Sequence, residues 1–364
     1  MTKRVVVLGG SYSAIIAVKE ISKIDSTAQI TVINPSTHFF FTVSAPRAFV
    51  DPKYPKQLFF PLKNIFANEI AEGKVTLVQG KAVRTDFQAN EVVYVSRGKE
   101  SIQKYDILVL ATGARAETKA FKLEDDHDES IKAIEEIAAK AKTAKKIVVA
   151  GGGATGVESA SEFKENYPKA EVSLYTGSEG PLKQINKIDA ATKKLTYLGV
   201  KIVNQVKVTS NEKLSDGRIK LFLSDGQTQI VDVYVPAVGL YPNSGYIDLA
   251  YLDKDGYVVT HNTLIVKGTD NVIAVGDIVS GTISSIGTIQ MVHSAVLTSS
   301  LRHLLTGSKT TKTYKVPTSA TQIVPIGSKG GVGVLFGWSV PNFLVVMLKA
   351  KDFMLARAIK EYGV

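Results

Sequence analysis

Two glycine-rich stretches carry the residue types and the spacing that could do chemistry. In the longer match, Lys145 to Glu158, an apolar β-branched run enters Gly151-Gly152-Gly153-Ala154-Thr155-Gly156, a complete G-x-G-x-x-G. Gly151 allows the tight turn, Gly153 lets the backbone approach a pyrophosphate, and Gly156 lets the following helix pack on its strand. The phosphates would lie on the free N–H groups at that helix N-terminus. An imperfect copy stands near the start, with Gly9 in the first glycine position, Ser11 in the second and Ala14 in the third. Ala is accepted at the third position, whereas Ser11 departs from the pattern and offers a hydroxyl to a phosphate oxygen. The two copies together imply two dinucleotides.

The flanking elements must position these loops. Arg4 to Leu8 reads as the strand before Gly9 and Gly10, a helical pattern runs to about Ile24, and the next strand, Gln29 to Ile33, ends at Asn34. Such folds place an acid there for a ribose hydroxyl; Asn34 hydrogen-bonds without charge assistance. Tyr105 to Leu110 leads into Ala111-Thr112-Gly113, a strand-then-glycine crossing, and Pro236-Ala237-Val238-Gly239 reads as a second crossing that returns the chain. Asn271 to Gly276 reads as a buried strand ending in Asp277, a carboxylate placed to accept sugar hydroxyls, although an Asp there also suits a helix cap. The strand after the complete glycine loop, Glu171 to Tyr175, ends in Thr176-Gly177-Ser178 and lacks the acid that selects NADH, so NADPH is allowed and NADH is not excluded.

Composition bounds the rest. With 364 residues, 45% of them hydrophobic, the chain can form two or three domains, and no run of about 18 apolar residues suggests a membrane span. The absence of Cys removes disulfides, thiolate metal sites and any mechanism with a redox-active C-x-x-C pair. Met1-Thr2-Lys3-Arg4 runs straight into a strand, which argues against a leader peptide or N-myristoylation and for an intracellular, cytoplasmic or mitochondrion-associated protein. A net charge of +10 suits anionic partners, but the Lys and Arg residues are scattered, with no dense stripe interleaved with aromatics, so nucleic acid is an unlikely partner.

Elsewhere, Val75 to Gly80 and Glu91 to Val95 alternate like strands of an added sheet, Ser130 to Lys145 like an amphipathic helix, and Leu195 to Val208 and Ile219 to Leu223 like further strands. Met291 to Leu305 reads as a helix in which His293 and His303 are ordinary core or surface residues. His38 lacks a ligand at metal spacing, and the acids around His127 suit a helix start, so no metal is expected. Lys309 to Lys315 is a polar linker, and the final helix, from about Pro341, places Phe343, Met347, Ala350 and Met354 at spacings of three or four.

The order of these motifs resembles that of the two-dinucleotide flavoproteins, glutathione-reductase-like in fold. Tyr105 to Gly113, the glycine loop ending in Val157-Glu158, Tyr167-Pro168, Asn271 to Asp277, Gly330 to Gly333 and Leu348 to Phe353 are similar to the apoptosis-inducing-factor-like, mitochondrion-associated branch, which includes the ferroptosis suppressor protein. The resemblance implies an α/β fold with two Rossmann-like domains and a small α+β C-terminal segment. The FAD domain would be residues 1–115 and 240–307, the NAD(P)H domain 116–239 and the segment 308–364. It implies hydride transfer from NADH or NADPH to FAD and onward reduction of a quinone-like acceptor, with a possible link to cell-death control. Gly9, Gly10, Ser11, Ala14 and Asn34 would surround the adenine half of FAD with Arg47 in its vicinity, Thr112 and Gly113 would border it, and Asp277 would hold the ribityl chain. Gly151, Gly153 and Gly156 would hold the NAD(P)H pyrophosphate, Glu158 would lie near nicotinamide and flavin, and Lys349 near the flavin's other side. Three questions stay open: whether the acceptor is instead an iron–sulfur protein, whether the flavin serves a redox-switched interaction, and whether the C-terminal helix lies on a membrane or packs back on the flavin domain. The oligomeric state is not legible.

Overall fold

The computed structural model describes residues 2–308, 312–316, 321–335 and 337–363. Two parallel sheets are built around the two glycine loops. The first has the order Val272–Ala274, Ile107–Leu110, Arg4–Leu8, Gln29–Asn34, Val75–Gln79. The second has the order Lys201–Val203, Glu171–Tyr175, Lys146–Ala150, Val233–Pro236. In each, the strand that feeds a glycine loop is flanked on one side by the next strand in sequence and on the other by a late one. That reversal opens a crevice at the strands' carboxyl ends, where open α/β sheets bind ligands. Val5 to Leu8 and Ile147 to Ala150 are wholly buried, as strands covered on both faces must be.

The glycines behave as their spacing requires. Gly9 and Gly151 both have positive φ, 115° and 126°, and a Cβ on either would collide with a carbonyl oxygen of a crossing, Ala111 or Ala237 respectively. Each loop is therefore seated on the crossing strand beside it. The two crossings also pair with each other, Ala114–Ala116 running antiparallel to Leu240–Pro242. Thr112 and Gly113 add bonds across the same seam: Thr112 Oγ1 donates to the Asn243 carbonyl at 2.8 Å, and the Asn243 N–H donates to the Gly113 carbonyl at 3.0 Å.

Several elements differ from the sequence reading. Val75–Gln79 belongs to the main sheet as its edge strand, parallel to Gln29–Asn34, because the long segment between them is a crossover rather than a hairpin. Only Glu91–Ser96, with Lys81–Asp86 and Lys99–Lys104, forms an added antiparallel sheet. The expected strand over 195–208 begins as the end of helix Ile188–Leu198, whose Ala191 and Leu195 are buried at i, i+4 and which Gly199 ends in the left-handed region. Strand structure there is confined to Lys201–Val203 and Val208–Lys213. The helix expected from Ser130 starts earlier, at His127, because Asp126 caps it by accepting from the Asp128 N–H. Of the linker over 309–315, residues 309–311 lie outside the described residues.

The C-terminal segment opens with an antiparallel sheet, Gln322–Pro325, Gly331–Leu335 and Trp338–Ser339, and the final helix expected from about Pro341 is two pieces rather than one. Asn342–Val345 runs into a π-helical turn, Val346–Ala350, the chain breaks at Phe353 and Met354, both at positive φ, and Leu355–Tyr362 follows. Leu355, Ala358 and Tyr362 are buried, and the Tyr362 ring centroid lies 4.9 Å from that of Phe39 in edge geometry. The last helix therefore packs back over the first domain. The piece before it does the opposite: Phe343 is 67% and Met347 64% exposed.

Candidate functional site

One cavity of about 1110 Å³ runs between the two sheets. That exceeds the roughly 300–1,000 Å³ of ordinary small-molecule pockets. Gly9, Gly10, Ser11 and Asn34 line one end, Thr112, Gly113 and Asp277 the middle, and Gly153, Glu158 and Lys349 the other. Residues up to 340 positions apart in sequence thus meet around one space. Ala14, Gly151 and Gly156 lie beneath the loops rather than in the wall: Ala14 is fully buried in its helix, and a Cβ on Gly156 would strike the Gly151 carbonyl oxygen.

Both loops end in helices without a side-chain cap. Ser11 precedes Tyr12–Ile24 with an extended backbone and its hydroxyl unused as a cap, and Gly153 precedes Ala154–Asn166. Their first-turn N–H groups have no partner within the helix and carry the positive end of the helix dipole, the ordinary seat of a pyrophosphate. Asn34 donates its Nδ2 to the Ser36 carbonyl at 2.7 Å, and its side chain lines the cavity.

Asp277 meets Lys122, a residue that no motif marks, at 2.7 Å. Burial pushes the Asp277 carboxyl up, but the Lys122 ammonium and the Ser284 hydroxyl overcome it and hold it below its ordinary value. His293, expected as a core or surface residue, is in the core: it is fully buried beside this carboxylate and its Nδ1 accepts the Gly276 N–H at 3.2 Å. Burial pushes its imidazole down to about 4, against the pull of Asp277, so it is neutral and shapes the turn that presents Asp277. It sits on a π-helical turn, Ile289–His293, as Lys349 does on Val346–Ala350. Such turns recur at functional sites, and only the backbone of a fold reveals them.

At the far end Lys349 Nζ donates to Glu158 Oε1 at 2.6 Å, across 191 residues. Burial pushes the Glu158 carboxyl up to about 7, with Lys349 drawing it back and Glu162 adding to the rise. Arg47, expected in the vicinity of the adenine half of FAD, is not in the wall: its Nε and Nη2 donate to Glu162 at 2.5 and 3.1 Å, and Nη2 also reaches the Ala350 carbonyl at 3.2 Å. Glu165, one turn further, accepts the Ser328 N–H at 2.8 Å. Glu158 and Glu165 thus fasten the C-terminal segment to the helix behind the second glycine loop directly, and Glu162 does so through Arg47.

The cavity fits an extended dinucleotide with a polar ring at its inner end. Besides the two uncapped helix ends, Gln322 in the wall has a buried Oε1 with no hydrogen-bond partner, an acceptor that a ring N–H would satisfy. His38, expected at a turn or on the surface, lies against His127 with 3.8 Å between ring centroids and the rings tilted by 30°. The ligand atoms of Asp126, His127 and Asp128 lie within 4.8 Å of one another, but Asp126 is engaged as the helix cap.

Comparison with known proteins agrees with this architecture. Residues 3–298 match the family model for pyridine nucleotide-disulphide oxidoreductases. The oxidoreductase ptaL of Pestalotiopsis fici is 29% identical over 365 residues, covering 97% of this chain and 96% of that protein. Ferroptosis suppressor protein 1 of Xenopus tropicalis is 28% identical over 377 residues, covering 99% and 96%. Among solved structures, an NAD-dependent persulfide reductase from A. fulgidus superposes with a TM-score of 0.68 at 20% identity; the match covers 96% of this chain and 66% of that longer one.

Proposed function

The chain belongs to the pyridine nucleotide-disulphide oxidoreductase family, and from that premise we propose that it is an FAD-dependent NAD(P)H oxidoreductase that reduces a quinone-like acceptor. The observation that carries the reading is that both glycine loops open into one cavity, with Glu158 and Lys349 paired in its wall. The absence of Cys rules out the internal disulfide in the family's name as acceptor.

FAD would supply the two-electron relay between the nicotinamide and the acceptor. The protein's share is binding and electrostatics. Residues 1–115 with 240–307 would hold FAD, and 116–239 the nicotinamide nucleotide. Gly10 and Ser11 would present backbone N–H groups to one pyrophosphate, while Gly9 makes the turn with its own N–H on the Ile33 carbonyl; Asn34 would accept from the ribose, and Asp277, fixed by Lys122, from the ribityl hydroxyls. The helix behind Gly153 presents N–H groups to the second pyrophosphate. Lys349 offers an ammonium to negative charge on the reduced ring or on the acceptor, and Glu158, able to change protonation near neutrality, orients that ammonium. The exposed apolar side chains of Phe343, Met347 and Leu348 support an acceptor drawn from a membrane surface. The relatives named ferroptosis suppressor protein 1 support a role in cell-death control.

The test is an anaerobic spectrum of the purified protein with NADH, NADPH and then a short-chain quinone. Flavin bands should bleach with a nicotinamide nucleotide and return with the quinone; bands that bleach but do not return would remove the quinone from the proposal.

A further inference from the structure

Resting on the reading that the second glycine loop holds the nicotinamide nucleotide, we propose that this site reads the 2′-phosphate of NADPH through Lys207, a residue in neither glycine motif. The location follows from a correspondence between the two sites. A Cβ on Gly10 would stand 2.8 Å from the Asn34 side chain, and a Cβ on Gly152 would stand 3.0 Å from Thr176 Cβ. Thr176 therefore occupies in the second site the place that Asn34 occupies in the first, the end of the strand where the adenosine ribose lies.

At that place the chain has no carboxylate. Thr176 is held by its own surroundings, its one hydroxyl proton shared between the Ser178 carbonyl at 2.9 Å and Asn204 Oδ1 at 3.0 Å. The next residue is Gly177, at φ +64°, and the space a side chain would fill there is taken by Lys207, whose Cγ would stand 3.0 Å and Cε 3.6 Å from a Cβ on Gly177. The Lys207 stem, entering from a neighbouring loop, thus lies across the strand end beside Thr176.

That loop is built to hold it. Gln205 N–H donates to the Ser178 carbonyl at 2.8 Å, Lys207 N–H donates to Ser224 Oγ at 2.9 Å, and Ser224 N–H donates to the Lys207 carbonyl at 2.9 Å. Among the described residues no ion pair engages Lys207 Nζ, whereas the acid on the facing loop, Glu179, is taken up by Lys183 at 2.7 Å. A phosphate at the ribose 2′ position would meet a cation without an ion pair, while the Ser178 hydroxyl donates to the Gly180 carbonyl at 3.1 Å and Asp225, beside Ser224, accepts the Gln227 N–H at 3.1 Å. NADH offers only a hydroxyl there.

The experiment is calorimetric binding of 2′,5′-ADP and 5′-AMP to the FAD-loaded full chain, together with kcat/KM for NADPH and NADH in the same protein and in K207A, K207R and K207E. Since one charge-assisted contact is at stake, 2′,5′-ADP should bind about tenfold or more tightly than 5′-AMP. The NADPH/NADH ratio of kcat/KM should fall about tenfold in K207A and further in K207E, with K207R restoring most of it. Folding of each variant is read independently from its flavin content and circular dichroism. Equal binding of the two fragments, or a ratio that K207E leaves unmoved, overturns the role of Lys207 while leaving the hydride donor intact. Failure of both nucleotides to bleach the flavin would overturn this inference together with the proposed function.

Discussion

At the scale of single residues, the Glu158–Lys349 pair is the site's titratable element. Burial raises the Glu158 carboxyl from an ordinary 4.5 to about 7, so the folded chain binds a proton there that the unfolded chain releases at lower pH. The stability this confers is fully present below about 4.5 and is lost as pH rises to about 7. E158Q removes that dependence, so the melting temperature of E158Q relative to wild type should climb between pH 5 and 7 and level off above. A difference that stays flat with pH would reject the raised carboxyl. Lys349→Met takes away the group that draws Glu158 down, and the inflection should move above 7 in the same measurement. Lys122 and His293 belong to this scale too. Neither lies in a recognisable motif, yet one neutralises Asp277 and the other braces the turn that carries it.

At the scale of elements, each glycine loop is a strand, a turn and a helix whose tolerances are set by a crossing strand. The two loops should therefore fail separately. Gly9→Ala forces a Cβ into the Ala111 carbonyl at a positive φ, and should yield protein depleted of FAD by absorbance. Gly156→Val pushes into the Gly151 carbonyl inside the other loop, and should keep the flavin spectrum while slowing NAD(P)H-driven bleaching by roughly two orders of magnitude, the scale of misplacing a reactant by about an ångström. Parallel loss of both functions in both variants would mean that the loops are not independent. Helix Ala154–Asn166 adds a second task, because Glu158, Glu162 and Glu165 anchor Lys349, Arg47 and Ser328 along one side. A binding helix is thereby also the mount for the segment that closes the cavity.

At the scale of the whole molecule, the C-terminal segment has two faces with opposite fates. Tyr362 is set among Phe39, Phe41 and Phe60, contacts worth about 0.5–1.5 kcal/mol each beyond the area buried. Deleting residues 341–364 would strip the first domain of part of its core as well as of Lys349, so it is a poor probe of surface function. Substituting Phe343 and Met347 together by Asp leaves that core alone. The double variant should lose co-sedimentation with anionic vesicles that the wild type shows, and wild type that stays in the supernatant would reject membrane docking. Among the described residues no helix is long and apolar enough to cross a membrane, so contact of this kind would be peripheral.

The glycine spacing, the Ala-Thr-Gly crossing and the Gly276-Asp277 strand end were legible in the sequence, because each depends on neighbours a few positions away and on backbone geometry that few residue types permit. The membership of Val75–Gln79 in the main sheet was not, since alternation fixes a strand's faces and not its neighbour. Nor was the break at Phe353 and Met354, where the apolar spacing suggested one continuous helix and packing against the first domain turned the chain instead. By itself the sequence determined that two dinucleotide loops exist and that no thiol serves them. Only the tertiary structure decided that Lys349 meets Glu158, that Lys122 meets Asp277 and that Lys207 crosses Gly177, because side chains so far apart in sequence are brought within contact distance only when the two sheets and their crossings have assembled.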